Sequence, residues 1–110
     1  MKKTEVIGIL NRYTLVKENK MVEKSVELKQ ITFVKLRDRL LGLGKILEEN
    51  FENSYYVASI PSGFANKNIA VVLILLEGYR LSLYSYSREG LIDQHTSDKA
   101  IEKIIEKVAE

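Results

Sequence analysis

Arg80, Tyr84, Tyr86 and Arg88 fall at even positions of the stretch YRLSLYSYSRE, and their types suit binding more than catalysis. Alternate residues of a strand share a face, so this spacing sets two aromatic rings between two guanidinium groups. Tyr79, Leu81 and Leu83 take the opposite face. Aromatic rings stack on bases and arginine neutralises phosphates, as in sheets that bind RNA. The same two residue types are enriched at protein interfaces. These four side chains are the candidate binding set, for a protein or for a nucleic acid.

Other groups offer less. His95 is the only histidine and follows Asp93 by two residues in DQHTSDK. An Asp-x-His pair at a helix start can orient an imidazole for general base work, which is the route to a small enzyme. No GxSxG-type turn marks a nucleophile, so the expectation is a surface histidine beside a helix cap. Glu48, Glu49 and Glu52 cluster near the middle of the chain without a calcium-loop pattern or a pair of histidine ligands. They are read as solvated acids, and the expectation is that the protein holds no metal and no cofactor. PSGFANKN, residues 61–68, lacks the glycine patterns of phosphate-binding loops and leads into no helix. It is expected to be a hairpin loop with a contact role.

The elements that position these residues follow from periodicity. EVIGILNRYTLV, residues 5–16, is rich in β-branched and aromatic residues, with Ile7, Ile9, Tyr13 and Leu15 at odd positions, and predicts a strand. KENK then turns into a second strand over MVEKSVEL. Thr32 caps a helix with an apolar stripe of Phe33, Leu36, Leu40, Leu43 and Leu47, ending near 43 or running to 49. Three strands follow, from Ser54, Ile69 and Tyr79, the last two joined through Glu77 and Gly78. A final helix begins at Thr96 or Ser97 and carries Ala100, Ile101, Ile104, Ile105 and Val108 on one stripe.

This ββαβββα order predicts an α+β protein, an antiparallel sheet of about five strands with two helices packed on one face. IAVVLILL, residues 69–76, sharpens that picture because both of its alternating faces are apolar. A half-exposed antiparallel strand alternates instead. Leaving large apolar side chains bare forfeits about 1.5–3 kcal/mol each, so the second sheet face must be covered, by the N-terminal hairpin or by a second chain.

Composition bounds the rest. A chain of 110 residues, 45% hydrophobic and 29% charged, has the size and usage of one globular domain spanning 1–110. The absence of cysteine excludes disulfides and thiolate chemistry and fits a reducing compartment. Asn11 and Arg12 cut short the apolar start, and the longest apolar run is far below the ~20 residues that span a bilayer. The expected setting is cytoplasmic, with no membrane partner. Net charge is +2, spread as +4 over residues 1–50 and −2 over 51–110, which implies no electrostatic partner by itself.

The function expected from these features is a non-enzymatic interaction or regulatory domain, homodimeric or bound to another protein. The alternative is a nucleic-acid-binding domain using the Tyr/Arg strand face, and the third reading is a small enzyme.

Overall fold

The computed structural model describes residues 1–90 and 92–110. The chain forms α1 (Lys3–Leu10), β1 (Val22–Glu27), α2 (Phe33–Leu41), β2 (Lys45–Asn50), β3 (Tyr55–Ser62), β4 (Asn68–Glu77), β5 (Arg80–Tyr86) and α3 (Thr96–Val108). The five strands make one antiparallel sheet in the order β1-β5-β4-β3-β2. The expected α+β class is therefore what the chain adopts, with α2 and α3 together on one face.

Those two helices are set by the stripes read in the sequence. Thr32 accepts a hydrogen bond from the Lys35 amide at 3.2 Å, closing the first turn of α2. Leu36 and Leu40 of α2 and Ala100, Ile101, Ile104 and Val108 of α3 meet Tyr56, Ile60, Val72, Ile74, Leu81 and Leu83 in the main core. The Tyr56 ring stacks on Phe33 at 4.2 Å and its hydroxyl donates to the Phe33 carbonyl at 2.6 Å. One buried group on this side has no partner: among the described residues the Ser85 hydroxyl, between Val22 and Val72 in register, donates to and accepts from nothing. An unpaired buried hydroxyl costs free energy. Ser85→Ala is therefore expected to leave urea stability unchanged or raise it by up to about 1 kcal/mol, whereas a loss of that size would reveal a partner.

The second face is closed by the chain's own N-terminus, in a form that differs from the expected hairpin. Residues 3–10 are a helix, with Val6, Ile9 and Leu10 on one side, packed on Tyr55, Val57, Leu73 and Leu75. The β-branched composition of VIGIL favours a strand. The same residues also fit a 3.6-residue period, and an apolar strip already complete in its own strands rewards a helix lying across it. Asn11 ends that helix, its side-chain oxygen accepting from the Val16 amide at 2.9 Å. The linker then runs on over the sheet, where Val16 and Met21 reach the same core. β4 thus has one face, Ala70, Val72 and Ile74, under α2 and α3, and the other, Leu73 and Leu75, under α1.

Two further differences are local. β2 occupies residues expected to extend α2 or to be loop. Its register shifts between Ile46 and Glu48, so Leu47, in the second core, and Glu48, bonded to Arg12 and Tyr13, both lie on the α1 side, a bulge that breaks the two-residue alternation. The β4–β5 turn lies one residue later than expected. Glu77 pairs with Arg80, leaving Gly78 (φ +60°) and Tyr79 as the loop. Gly at the first loop position is the occupant that a tight hairpin with positive φ there needs.

Candidate functional site

The strand-face set is divided by the fold. Arg80 is exposed at one end of β5, opposite Glu27 of β1 and Glu77 of β4. Tyr84 lies half-buried against the second core, with Glu23 across from it, and burial, helped by Glu23 and Glu77, raises its phenol pKa. Tyr86 is only 4% exposed, and Arg88 is exposed just beyond the strand. The two rings therefore do not lie open as a stacking platform, because the N-terminal layer passes over the side they share.

His95 and Asp93 come together, though not as a catalytic pair. Asp93 accepts the His95 backbone amide at 2.8 Å instead of the imidazole. The ring Nδ1 sits 3.7 Å from the Asp98 carboxylate, and both side chains are exposed. His95 has a left-handed backbone (φ +56°) and gives α3 no side-chain cap. Glu89 does that work, accepting the Thr96 amide at 2.9 Å.

The three central acids part company. Glu49 pairs with Arg37 of α2 at 3.0 Å, while the bulge turns Glu48 to the α1 side. Among the described residues no group of three His, Cys, Asp or Glu side chains is placed to hold a metal ion. Glu48 instead becomes a hub. It accepts both oxygens' worth of hydrogen bonds from Arg12 at 2.8 and 2.9 Å, one from the Tyr13 hydroxyl at 2.6 Å and one from the Tyr55 hydroxyl at 2.5 Å. Its side chain is 17% exposed. Burial pushes this carboxyl up, but the bonds from Tyr13, Tyr55 and Arg12 outweigh it and hold the carboxyl below its ordinary value. Tyr13 is raised chiefly by its bond to Glu48, and Tyr55 by burial and then by the same carboxylate. Sequence reading missed this hub because two of its three donors, Arg12 and Tyr13, lie 36 and 35 residues away and the bulge that turns Glu48 toward Tyr55 leaves no mark in the spacing.

The loops that end β3 and β5 and that begin β1, β4 and α3 gather at one end of the sheet. There the 61–68 loop is held down: Lys103 donates to the Pro61 carbonyl at 2.9 Å and to the Asn66 side chain, and the Phe64 amide donates to Gln94 at 3.0 Å. Gly63 (φ +76°) sits so close to α3 that a Cβ would meet the Thr96 hydroxyl at 2.7 Å. Beside these loops a cavity of about 850 Å³ is lined by parts of the 14–20 linker, the end of β5, residues 87–90, Asp93 and the start of α3. It brings Tyr86 and Arg88 to one place with Asp93 and His95, groups that the sequence presents as unrelated.

Fold and site together define a class: a five-stranded antiparallel α+β protein with a helical layer on each face and an open cavity at one end. The particular chain has no counterpart to lend it a role, since no protein-family model, curated protein or solved structure matches it. No helix among the described residues is long and apolar enough to cross a membrane.

Proposed function

We propose that the protein is a small non-enzymatic interaction module that acts through protein contacts and pairs with a second copy of itself. The observation that carries this is the outer stripe of α2. Val34, Arg37, Asp38 and Leu41 stand at i, i+3, i+4 and i+7, on one side of the helix, and Val34 and Leu41 are each 56% exposed. Two copies of α2 laid antiparallel about a twofold axis between Arg37 and Asp38 bring Val34 against the mate's Leu41. The same axis brings Arg37, which already pairs with Glu49 in its own chain, beside the mate's Asp38. That self-complementarity, apolar with apolar and cation with anion, is what an isologous interface requires. Phe51, exposed beside Phe33 at a ring separation of 5.7 Å, extends the stripe.

The sheet face expected to meet a partner supports this less well, since α1 already lies on it. Burying the exposed halves of Val34, Leu41 and Phe51 in both copies contributes roughly 5 kcal/mol, which corresponds to a weak pair with Kd on the order of 0.2–1 mM. Sedimentation equilibrium from micromolar to millimolar concentration is expected to show the mass rising from 12.6 kDa toward twice that value. The Val34→Asp/Leu41→Asp variant is expected to stay at one chain's mass. A wild-type mass that never rises, or a double variant that still dimerises, overturns the proposal.

A further inference from the structure

We propose that the cavity at the loop end binds a phosphorylated small molecule. Its phosphoryl group would sit among Lys17, Lys20, Arg88, the Tyr86 hydroxyl and the first free amides of α3. The site is separate from the α2 stripe, and neither reading depends on the other.

Four observations converge. First, among the described residues Lys17, Lys20 and Arg88 line the cavity without an ion-pair partner. Second, Tyr86 lines it while 4% exposed, and among the described residues its hydroxyl has no hydrogen-bond partner. The hydroxyl is not among the buried unpartnered atoms of the described residues, so it is open to solvent and free to donate to a ligand in the cavity that Tyr86 lines. Third, α3 presents its N-terminus there. Glu89 takes the Thr96 amide, but the amides of Ser97 and Asp98, both cavity-lining residues, have no acceptor among the described residues. Such amides and the helix dipole together favour an anion.

Fourth, the acids of the same cavity are already engaged. Glu89 accepts from Thr96 and Asn68, Asp93 from the His95 amide, and Asp98 lies 3.7 Å from the His95 ring. Glu89 and Asp98 also sit at the positive end of α3, which offsets part of their charge. The cavity thus carries three carboxylates as well as three cations, but among the described residues no carboxylate lies within ion-pair distance of Lys17, Lys20 or Arg88, so these three stay available to an added anion.

The chemical class follows from size and donors. An arginine fork, two ammonium groups, a phenol and two amides supply more donors than one carboxylate can use, and they match the several oxygens of a phosphoryl group. A cavity of about 850 Å³ is far larger than phosphate and lies in the usual range for organic ligands. Leu15, Val22 and the Tyr86 ring give it apolar wall.

Calorimetric titration of the full chain at low salt tests this, with ADP, phosphoenolpyruvate, inorganic pyrophosphate and citrate as probes. At least one of the two organic phosphates is expected to bind with Kd on the order of 100 μM, several-fold more tightly than pyrophosphate or citrate, and to weaken as salt rises. Arg88→Ala, and separately Lys17→Ala/Lys20→Ala, are expected to weaken it about tenfold each. These three side chains are exposed, so the fold survives their loss. Tyr86→Phe is expected to cost less, about fivefold. Failure of both organic phosphates to bind at about 1 mM overturns the proposal. So does citrate binding as tightly, or affinity that is unmoved in the arginine and lysine variants.

Discussion

Gly44→Ala is expected to destabilise the protein by about 3 kcal/mol, at the upper end of what single substitutions cost, and to lower the urea midpoint at unchanged slope. Gly44 connects α2 to β2 where the chain passes against the β3 backbone. A Cβ built there lies 2.1 Å from the Ser59 carbonyl oxygen and 3.2 Å from Ile60 Cδ1. Backbone of a central, doubly paired strand cannot yield as a side-chain tip does, so either β2 moves or the pairing of Lys45 with Ser59 is lost. Gly42 is the built-in control. Its φ is −73°, and a Cβ would press on the flexible Lys107 Cε at 3.1 Å and lie in ordinary contact with the Arg39 carbonyl oxygen at 3.4 Å. Gly42→Ala is expected to fall within about 1 kcal/mol of the parent, on the stabilising side through the unfolded chain's lost freedom. Equal effects at the two glycines would disprove the close-approach explanation.

Glu48→Gln is expected to cost about 2 kcal/mol near neutral pH, the scale of hydrogen bonds to a charged group, and to change the pH profile more tellingly than the midpoint. The folded Glu48 carboxyl is held below its ordinary value. Its contribution is therefore complete above the unfolded pKa of about 4.3 and fades as pH falls through the lower folded value. The Gln variant should lack that part of the acid limb, so parent and variant converge as the medium becomes strongly acidic. At the alkaline end the sign reverses. Tyr13 and Tyr55 are raised, so what they contribute is present below about pH 10 and is lost as pH climbs through their folded values. Denaturant melts at several pH values check both limbs, and parallel acid limbs for parent and variant would remove Glu48 from the account.

The elements that the sequence made legible are those whose burial pattern depends on one neighbour. α2 and α3 each carry a single stripe facing a sheet, and Thr32, Leu36, Leu40, Ile101 and Ile104 do what their spacing implies. The doubly apolar run of β4 correctly demanded cover on both sides. Where two periods fit equally, local pattern could not decide. Val6, Ile9 and Leu10 serve a helix because the strip they meet is already formed by Tyr55, Val57, Leu73 and Leu75, a condition set 45 to 69 residues away. β2 was obscured for a different reason, its bulge putting the apolar Leu47 and the charged Glu48 on the same side and so breaking the alternation that marks a strand.

The candidate site divides in the same way. Tyr86 and Arg88 were singled out for their types, but the layer over them turns a supposed open face into a cavity wall. Lys17 and Lys20 carried no local signal, since the cavity they line is completed by residues 86–90, Asp93 and the start of α3, and Glu48 stood out only as one of three clustered acids, its donors Arg12 and Tyr13 being brought from far along the chain.

The linker between α1 and β1 ties these features together thermodynamically. An eight-residue helix is too short to persist alone in water, so α1 is held by its docking on the sheet. Residues 14–20 continue from that helix directly into the cavity wall. Any molecule gripped by Lys17 and Lys20 would therefore also hold the N-terminal layer on the sheet. By reciprocity, docking would strengthen the binding of such a molecule as much as the molecule strengthens docking, and a change that loosens Arg12 or Tyr13 from Glu48 would weaken that grip to the extent that it lowers the docked fraction.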